Sequence, residues 1–186
     1  MPRTRTFVSF GEKLALDLLV AEDAPPVAQA LVVPQDVNLI LGDVEPVLEE
    51  TTGAEEATES AASFRPRRLG SVVVLKPQAR KPLLLQAIVY DFDRVPPATE
   101  EPVYEALVTC FEEARTRGLG RIALRPLGTA HGGLAPLVFL RLLTQSCYTA
   151  AEMGTTLRRV FLLIPSPDEM ERYQSLLKTI VEKASP

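Results

Sequence analysis

Residues 121 to 140 read RIALRPLGTAHGGLAPLVFL, and they carry the clearest structural signal in the chain. The first seven residues are typical of a buried strand, and the segment from Pro136 onward has the dense apolar composition of a buried helix. Between them lie three glycines and His131, the only histidine of the chain. Glycine is usual where the backbone adopts uncommon dihedral angles or where another group approaches closely. This order predicts a strand, a glycine loop and a helix.

Strand-like and helix-like segments alternate on both sides of this unit. A strand, a crossover helix and a further strand build a largely parallel sheet, because such crossovers are right-handed. The sequence therefore predicts the α/β class, as a three-layer α/β/α sandwich with a mixed, mostly parallel central sheet. Strands are predicted at 6–10, 14–21, 28–34, 71–75, 83–90, 121–127 and 158–165, and helices at 41–50, 99–117, 136–151 and 167–184.

Length and composition predict one domain over residues 1–186, with 46% hydrophobic and 24% charged residues. The segment 51–68 is polar, acidic and alanine-rich, and it predicts a flexible acidic loop.

The net charge of −4 argues against nucleic acid and anionic membranes as partners, since both are bound through excess positive charge. No apolar run reaches the length of a membrane-spanning helix, and no secretory signal is expected at the N-terminus. Cys110 and Cys147 fall within helical apolar patterns rather than at metal-ligand spacing, so they are interpreted as reduced core residues. A cytoplasmic protein is expected, without metal or cofactor, and the sequence is compatible with a homo-oligomer.

The glycine loop is the best candidate for a binding site. Ligands of open α/β sheets bind beyond the carboxyl ends of strands, where a loop leads into a helix. Converging amides at the glycines and the positive end of the helix favour an anion, and Thr129 adds a hydroxyl. A tight structural turn explains the same glycines. The loop lacks the lysine of a phosphate-binding Walker loop and the spacing of a dinucleotide fingerprint.

From about residue 14 to 180, the sequence resembles the macro domain family, which binds ADP-ribose. LGTAHGGLAP, the helix at 136–151, VFLLI and the SPDE helix follow the order of that family's loop, helix, strand and closing helix. Upstream, IVYDFD resembles the family's IIH-x-VGP strand, AEDAPPVAQALVVPQDVN its GDIT…VDAIVNAAN segment, and LILGDVEPVL its first glycine-rich loop.

The resemblance implies a binding site for a small-molecule nucleotide such as ADP-ribose. Asp23 is implied as the adenine-contacting aspartate and Gly42 as the remaining glycine of the first loop. Val33 and Asp36 stand where hydrolytic members have asparagines, so the resemblance does not imply hydrolysis. The second, distal-phosphate loop is implied at Gly128, Thr129, Ala130, His131, Gly132 and Gly133.

Three functions remain open at the level of sequence. The first is a macro-domain-like binding module. The second is a phosphatase or hydrolase for a nucleotide or ADP-ribosyl substrate, with His131 or Asp91 in the chemistry. The third is an assembly or regulatory domain whose pocket is no longer used. Asp91 and Asp93 fit a metal site or a general acid–base pair, and they equally fit residues that solvate a strand end or cap the following helix. No residue is assigned as catalytic.

Overall fold

The computed structural model describes residues 7–11, 14–21, 28–41, 66–75 and 82–184. The predicted helix at 41–50 lies outside these ranges except for its first residue, as does most of the predicted acidic loop. The described elements are β1 (Phe7–Phe10), β2 (Leu14–Val20), β3 (Ala30–Asp36), β4 (Val72–Leu75), β5 (Leu83–Tyr90), α1 (Glu100–Thr116), β6 (Arg121–Leu124), α2 (Pro136–Glu152), β7 (Arg159–Ile164) and α3 (Pro167–Ala184).

The strands form one mixed sheet in the order β1-β2-β7-β6-β3-β5-β4. The five inner strands are parallel to one another, and β1 and β4 pair antiparallel at the two edges. The predicted α/β class with a mixed, mostly parallel sheet is therefore confirmed.

One face of the sheet carries the main hydrophobic core. Leu16, Val32 and Ile122 point to this face and form one cluster with Leu107 of α1 and Phe139 of α2. Helix α1 packs against β5 and α2, and α3 packs against α2, β2 and β7. The three helices thus form a single layer. None of the helices in the described ranges is both long and apolar enough to cross a bilayer.

The opposite face of the sheet is also covered. Ile88 and Phe161 are buried there, as expected for parallel strands that have layers on both sides. Asp17 of β2 is buried on the same face, where its Oδ2 lies 3.0 Å from Nη1 of Arg159 on β7. This ion pair links two strands that are remote in sequence.

Two predicted strand ends are wrong. The strand predicted to end at Pro34 continues to Asp36. The backbone N–H and C=O groups of Val32, and of every second residue along β3, point toward β6, but β6 has already ended at Leu124 when β3 reaches Pro34. The missing N–H of Pro34 therefore breaks no ladder bond. The strand predicted to reach residue 127 ends at Leu124, two residues before Pro126.

Both cysteines are free and buried, and burial raises the pKa of each thiol. The thiol pKa is thus higher in the folded protein than in the unfolded chain, where it is about 8.5. The protein therefore has its full stability below this unfolded pKa, and its free energy of unfolding declines as the pH rises above it. We expect the free energy of unfolding to fall by about 2 kcal/mol per thiol between pH 7.5 and 10. Urea denaturation at the two pH values measures this change. Cys147→Ala should remove about half of this pH dependence. Equal urea midpoints of the wild type at pH 7.5 and pH 10 would contradict the prediction.

Candidate functional site

The sheet has a topological switch point between β3 and β6. The chain that leaves β3 continues to β4 and β5 on one side, whereas the chain that leaves β6 runs through α2 to β7 on the other side. The connections diverge at this point, which leaves a crevice beyond the carboxyl ends of the two strands. Ligands of open α/β sheets bind in such crevices.

A cleft of about 420 Å³ opens at this switch point. Its volume falls within the range of about 300 to 1,000 Å³ that is usual for small-molecule sites. Arg125, directly after β6, and His131 are the basic residues of its lining, and none of the described lining residues is acidic. Such a cleft suits an anionic ligand with an apolar part. The apolar lining includes Ala21, Val33, Pro34, Leu41, Leu163 and Pro165.

Two glycines of the loop after β6 have backbone angles that other residues rarely adopt, with φ of 74° at Gly128 and 73° at Gly133. Gly132 is required for a different reason. A Cβ there would collide with the Cβ of Ala98 and would lie 2.9 Å from Cε1 of Tyr90. The glycines therefore shape the loop and let it pack closely on the core.

The Tyr90 hydroxyl lies beneath the glycine loop. Tyr90 ends β5 and is fully buried, and the amide of His131 donates to its hydroxyl over 3.5 Å. Burial raises the pKa of Tyr90, while the nearby backbone of His131, Ala130 and Gly128 acts to lower it. The loop backbone thus meets a phenol oxygen of the protein itself at His131.

A second buried tyrosine holds the other side of the loop. The side chain of Thr129 lies beside the hydroxyl of Tyr173 in α3 and acts to lower the Tyr173 pKa, which burial raises overall. Thr129 also lines the cleft, so this contact fixes one of its walls. The loop is therefore attached to β5 through its backbone and to α3 through a side chain.

The His131 ring is exposed and stands against two aromatic rings. Its centroid lies 5.8 Å from that of Tyr90 and 6.4 Å from that of Phe92, both in edge-on geometry. Phe92 in turn stacks on Tyr90 at 5.6 Å. These contacts orient the imidazole at the rim of the cleft.

The turn after β3 forms another wall and is organised by Asp36. This carboxylate is 2% exposed, and its Oδ1 accepts the amides of Ile40 at 2.6 Å and Leu41 at 2.9 Å. Its Oδ2 accepts the amide of Asn38 at 2.9 Å, and Gln35 donates through Nε2 to the Leu41 carbonyl at 2.9 Å. Asp36, which the resemblance places where hydrolytic macro domains have an asparagine, therefore has a structural role that positions Leu41 at the cleft.

The structure brings three of the predicted ligand-binding residues to the cleft: Thr129, Ala130 and His131. The three glycines shape the loop that carries these residues. Direct ligand contact by the glycines stays a prediction. Asp23 and Gly42 lie outside the described residues.

Sequence reasoning missed Arg125, Tyr90 and Tyr173. Arg125 carried a usable signal, since it directly follows a strand that ends at the switch point. The two tyrosines carried none, because each reaches the loop from an element that is distant in sequence.

Asp91 and Asp93 lie in the turn after β5 rather than on the strand. The Asp91 carboxylate accepts the amide of Asp93 at 3.2 Å and pairs with Nε of Arg94 at 2.7 Å. Within the described ranges, no three side chains of histidine, cysteine, aspartate or glutamate are grouped as a metal site requires. The described contacts of Asp91 are those of a residue that stabilises its own turn.

Comparisons with known proteins agree with this geometry. A macrodomain of Oceanobacillus iheyensis with ADP is 15% identical, and the match covers 97% of this chain and 98% of the other, with a TM-score of 0.74. A Trypanosoma brucei macrodomain in complex with ADP-ribose is 18% identical over 86% of this chain and 68% of the other, with a TM-score of 0.61. The macro domain of ganglioside induced differentiation associated protein 2 is 18% identical over 87% and 82%, with a TM-score of 0.62.

No family model and no curated protein matches the sequence. The sheet order and the cleft define an α/β protein with its site at a switch point. More specifically, the chain has the macrodomain fold.

Proposed function

We propose that this protein is a binding module for ADP-ribose or a related phosphorylated nucleotide. The cleft between β3 and β6 carries the proposal, because its basic residues, Arg125 and His131, lie beside an apolar floor that suits a base or ribose. The absence of acidic side chains among the described lining residues favours a diphosphate. The macrodomains with ADP and with ADP-ribose share the fold and give the nucleotide as the first ligand to test.

A binding module is favoured over an enzyme. The described ring contacts of His131 are aromatic, with Tyr90 and Phe92, and do not include the carboxylate that would orient a catalytic imidazole. The proposed partner is therefore a small-molecule nucleotide, without nucleic acid or membrane. We also place the protein in the cytoplasm, where two free buried thiols remain reduced.

Isothermal titration calorimetry with ADP-ribose tests the proposal. Arg125→Met keeps the length of the side chain but removes its charge, and we expect the affinity to fall about 10- to 100-fold, since a hydrogen bond to a charged group contributes about 1.5 to 3 kcal/mol. Arg121→Met is the matched control. Arg121 is exposed at the opposite end of the same strand, so its variant should bind as the wild type does.

Two results would contradict the proposal. If titrations of the wild type at two temperatures detect no binding of ADP-ribose, ADP or AMP, the cleft does not bind these nucleotides. If Arg125→Met and Arg121→Met bind equally well, the nucleotide binds elsewhere on the protein.

A further inference from the structure

An exposed aromatic side chain adjoins the cleft. Phe92, in the turn after β5, stacks on Tyr90 with an interplanar angle of 8° and stands against the ring of His131, which lines the cleft. Tyr90 is fully buried, whereas Phe92 is 52% exposed. The three rings therefore form a continuous cluster from the core to the rim of the cleft, and Phe92 is its most solvent-exposed aromatic hydrocarbon surface.

The turn that carries Phe92 is closed by local bonds. The amide of Asp91 donates to the Pro97 carbonyl at 2.9 Å, and the amide of Arg94 donates to the Asp91 carbonyl at 3.1 Å. The Asp91 carboxylate also pairs with Arg94 and accepts the amide of Asp93. Phe92 is thus an exposed ring held in a defined position, and a preorganised ring binds a planar group with little further loss of conformational entropy.

The strand order places Phe92 in line with the cleft. The cleft is lined by residues at or near the carboxyl ends of four neighbouring strands, β2, β7, β6 and β3. Phe92 follows β5, which is the next strand in this order. Strands lie about 4.8 Å apart, so the ends of β2 and β5 are separated by about 19 Å. A ligand that extends along the cleft from Ala21, just after β2, therefore has its far end near Phe92.

We propose that Phe92 is a stacking site for a second heteroaromatic ring of the ligand, so that the cleft takes nucleotides with a ring at both ends. This inference rests on the proposed function and specifies its ligand as a dinucleotide joined through a diphosphate. The apolar floor of the cleft accommodates the first base, and the exposed surface of Phe92 accommodates the second. Stacking of this kind tolerates different bases, since every base has a π face.

ADP-ribose is the reference ligand for the test, because a ring added to its second ribose makes it a dinucleotide. Calorimetric titrations of the wild type at two temperatures should give affinities for NAD⁺ and for diadenosine diphosphate that are about 5- to 150-fold higher than for ADP-ribose, the range that base–aromatic stacking contributes. The second ring of diadenosine diphosphate is neutral. It controls for attraction between the positive nicotinamide ring of NAD⁺ and the exposed Asp93.

Phe92→Leu keeps an apolar side chain against Tyr90 but removes the aromatic face. In this variant, both dinucleotides should bind no more tightly than ADP-ribose, and the affinity for ADP-ribose itself should stay unchanged. Tyr148→Leu is the matched control. It removes another exposed aromatic ring, about 18 Å along α2 from the first residue of that helix, and it should keep the preference for dinucleotides.

Proton NMR of the ligands tests the stacking directly in the wild type. The ring protons of nicotinamide should shift upfield when NAD⁺ binds, because a ring stacked on Phe92 lies in the shielding region above its face. The shift should be lost in Phe92→Leu and retained in Tyr148→Leu. Bound NAD⁺ without an upfield shift in the wild type overturns the stacking site, whatever the variants do.

The remaining outcomes separate this inference from the proposed function. If ADP-ribose binds and the two dinucleotides bind no more tightly, the stacking site is wrong and the proposed function stands. A preference for dinucleotides that persists in Phe92→Leu means that another group holds the second ring, which overturns the assignment to Phe92. A wild type that binds none of the three ligands overturns both proposals.

Discussion

Replacing Asp36 by alanine is expected to lower the free energy of unfolding by about 3 kcal/mol, because three amides in the turn after β3 lose a charged acceptor. The amides belong to Asn38, Ile40 and Leu41, and all three lie within 2.9 Å of the carboxylate oxygens. Urea denaturation followed by circular dichroism measures the change. Nucleotide affinity should fall as well, since Leu41 lines the cleft.

Two further variants separate the buried carboxylate from a general effect of lost charge. Asp36→Asn retains one carbonyl oxygen as acceptor and should lose about half as much stability. Asp93→Ala removes an exposed carboxylate and should leave the denaturation midpoint unchanged. A wild-type midpoint for Asp36→Ala would show that the turn does not depend on this carboxylate.

Gly132→Ala is the second large effect, and we expect it to lower the free energy of unfolding by about 2 to 3 kcal/mol. The added methyl group would collide with Cβ of Ala98 and approach the Gly128 carbonyl and the buried Tyr90 ring, and none of the three is the end of a flexible side chain. The loop must therefore shift, and His131 shifts with it. Thermal unfolding and calorimetric titration with ADP-ribose should both report the change.

Gly133→Ala is the matched comparison in the same loop. A Cβ at Gly133 meets no atom within 4 Å, but the residue has a φ of 73°. The expected loss is about 1 to 2 kcal/mol from the left-handed backbone alone. A larger loss in Gly133→Ala than in Gly132→Ala would show that backbone conformation, rather than packing on Tyr90, determines the loop.

The sequence predicted the elements well where hydrophobic periodicity is strong. The helices at Glu100–Thr116 and Pro136–Glu152 lie within one residue of their predicted bounds, and β5 matches its prediction. Errors occurred where tertiary context overrides a local rule. Pro34 suggested the end of a strand because proline has no N–H to donate. The neighbouring strand β6 ends before it reaches Pro34, so no hydrogen bond to β6 is lost there.

The sequence predicted a loop that lines the cleft but not the contacts that hold this loop. Three glycines after a strand identified the loop, and the resemblance to macro domains is confirmed for the fold. The contact between the His131 amide and Tyr90 was not predictable, because the strand that ends at Tyr90 lies beside β3 rather than beside β6 in the sheet. The Asp36 turn was missed for a similar reason, since a carboxylate that accepts local amides has no distinctive sequence pattern.

The pairing of β2 with β7 has a consequence for synthesis on the ribosome. Asp17 and Arg159 meet across this pair although they are 142 residues apart in sequence. The hairpin of β1 and β2 emerges early, and its inner edge has no partner until β7 has been translated. Closing so distant a contact is slow, because the entropy of a long loop must be lost first. Nascent chains that stall before β7 should therefore present an open, aggregation-prone strand edge to chaperones.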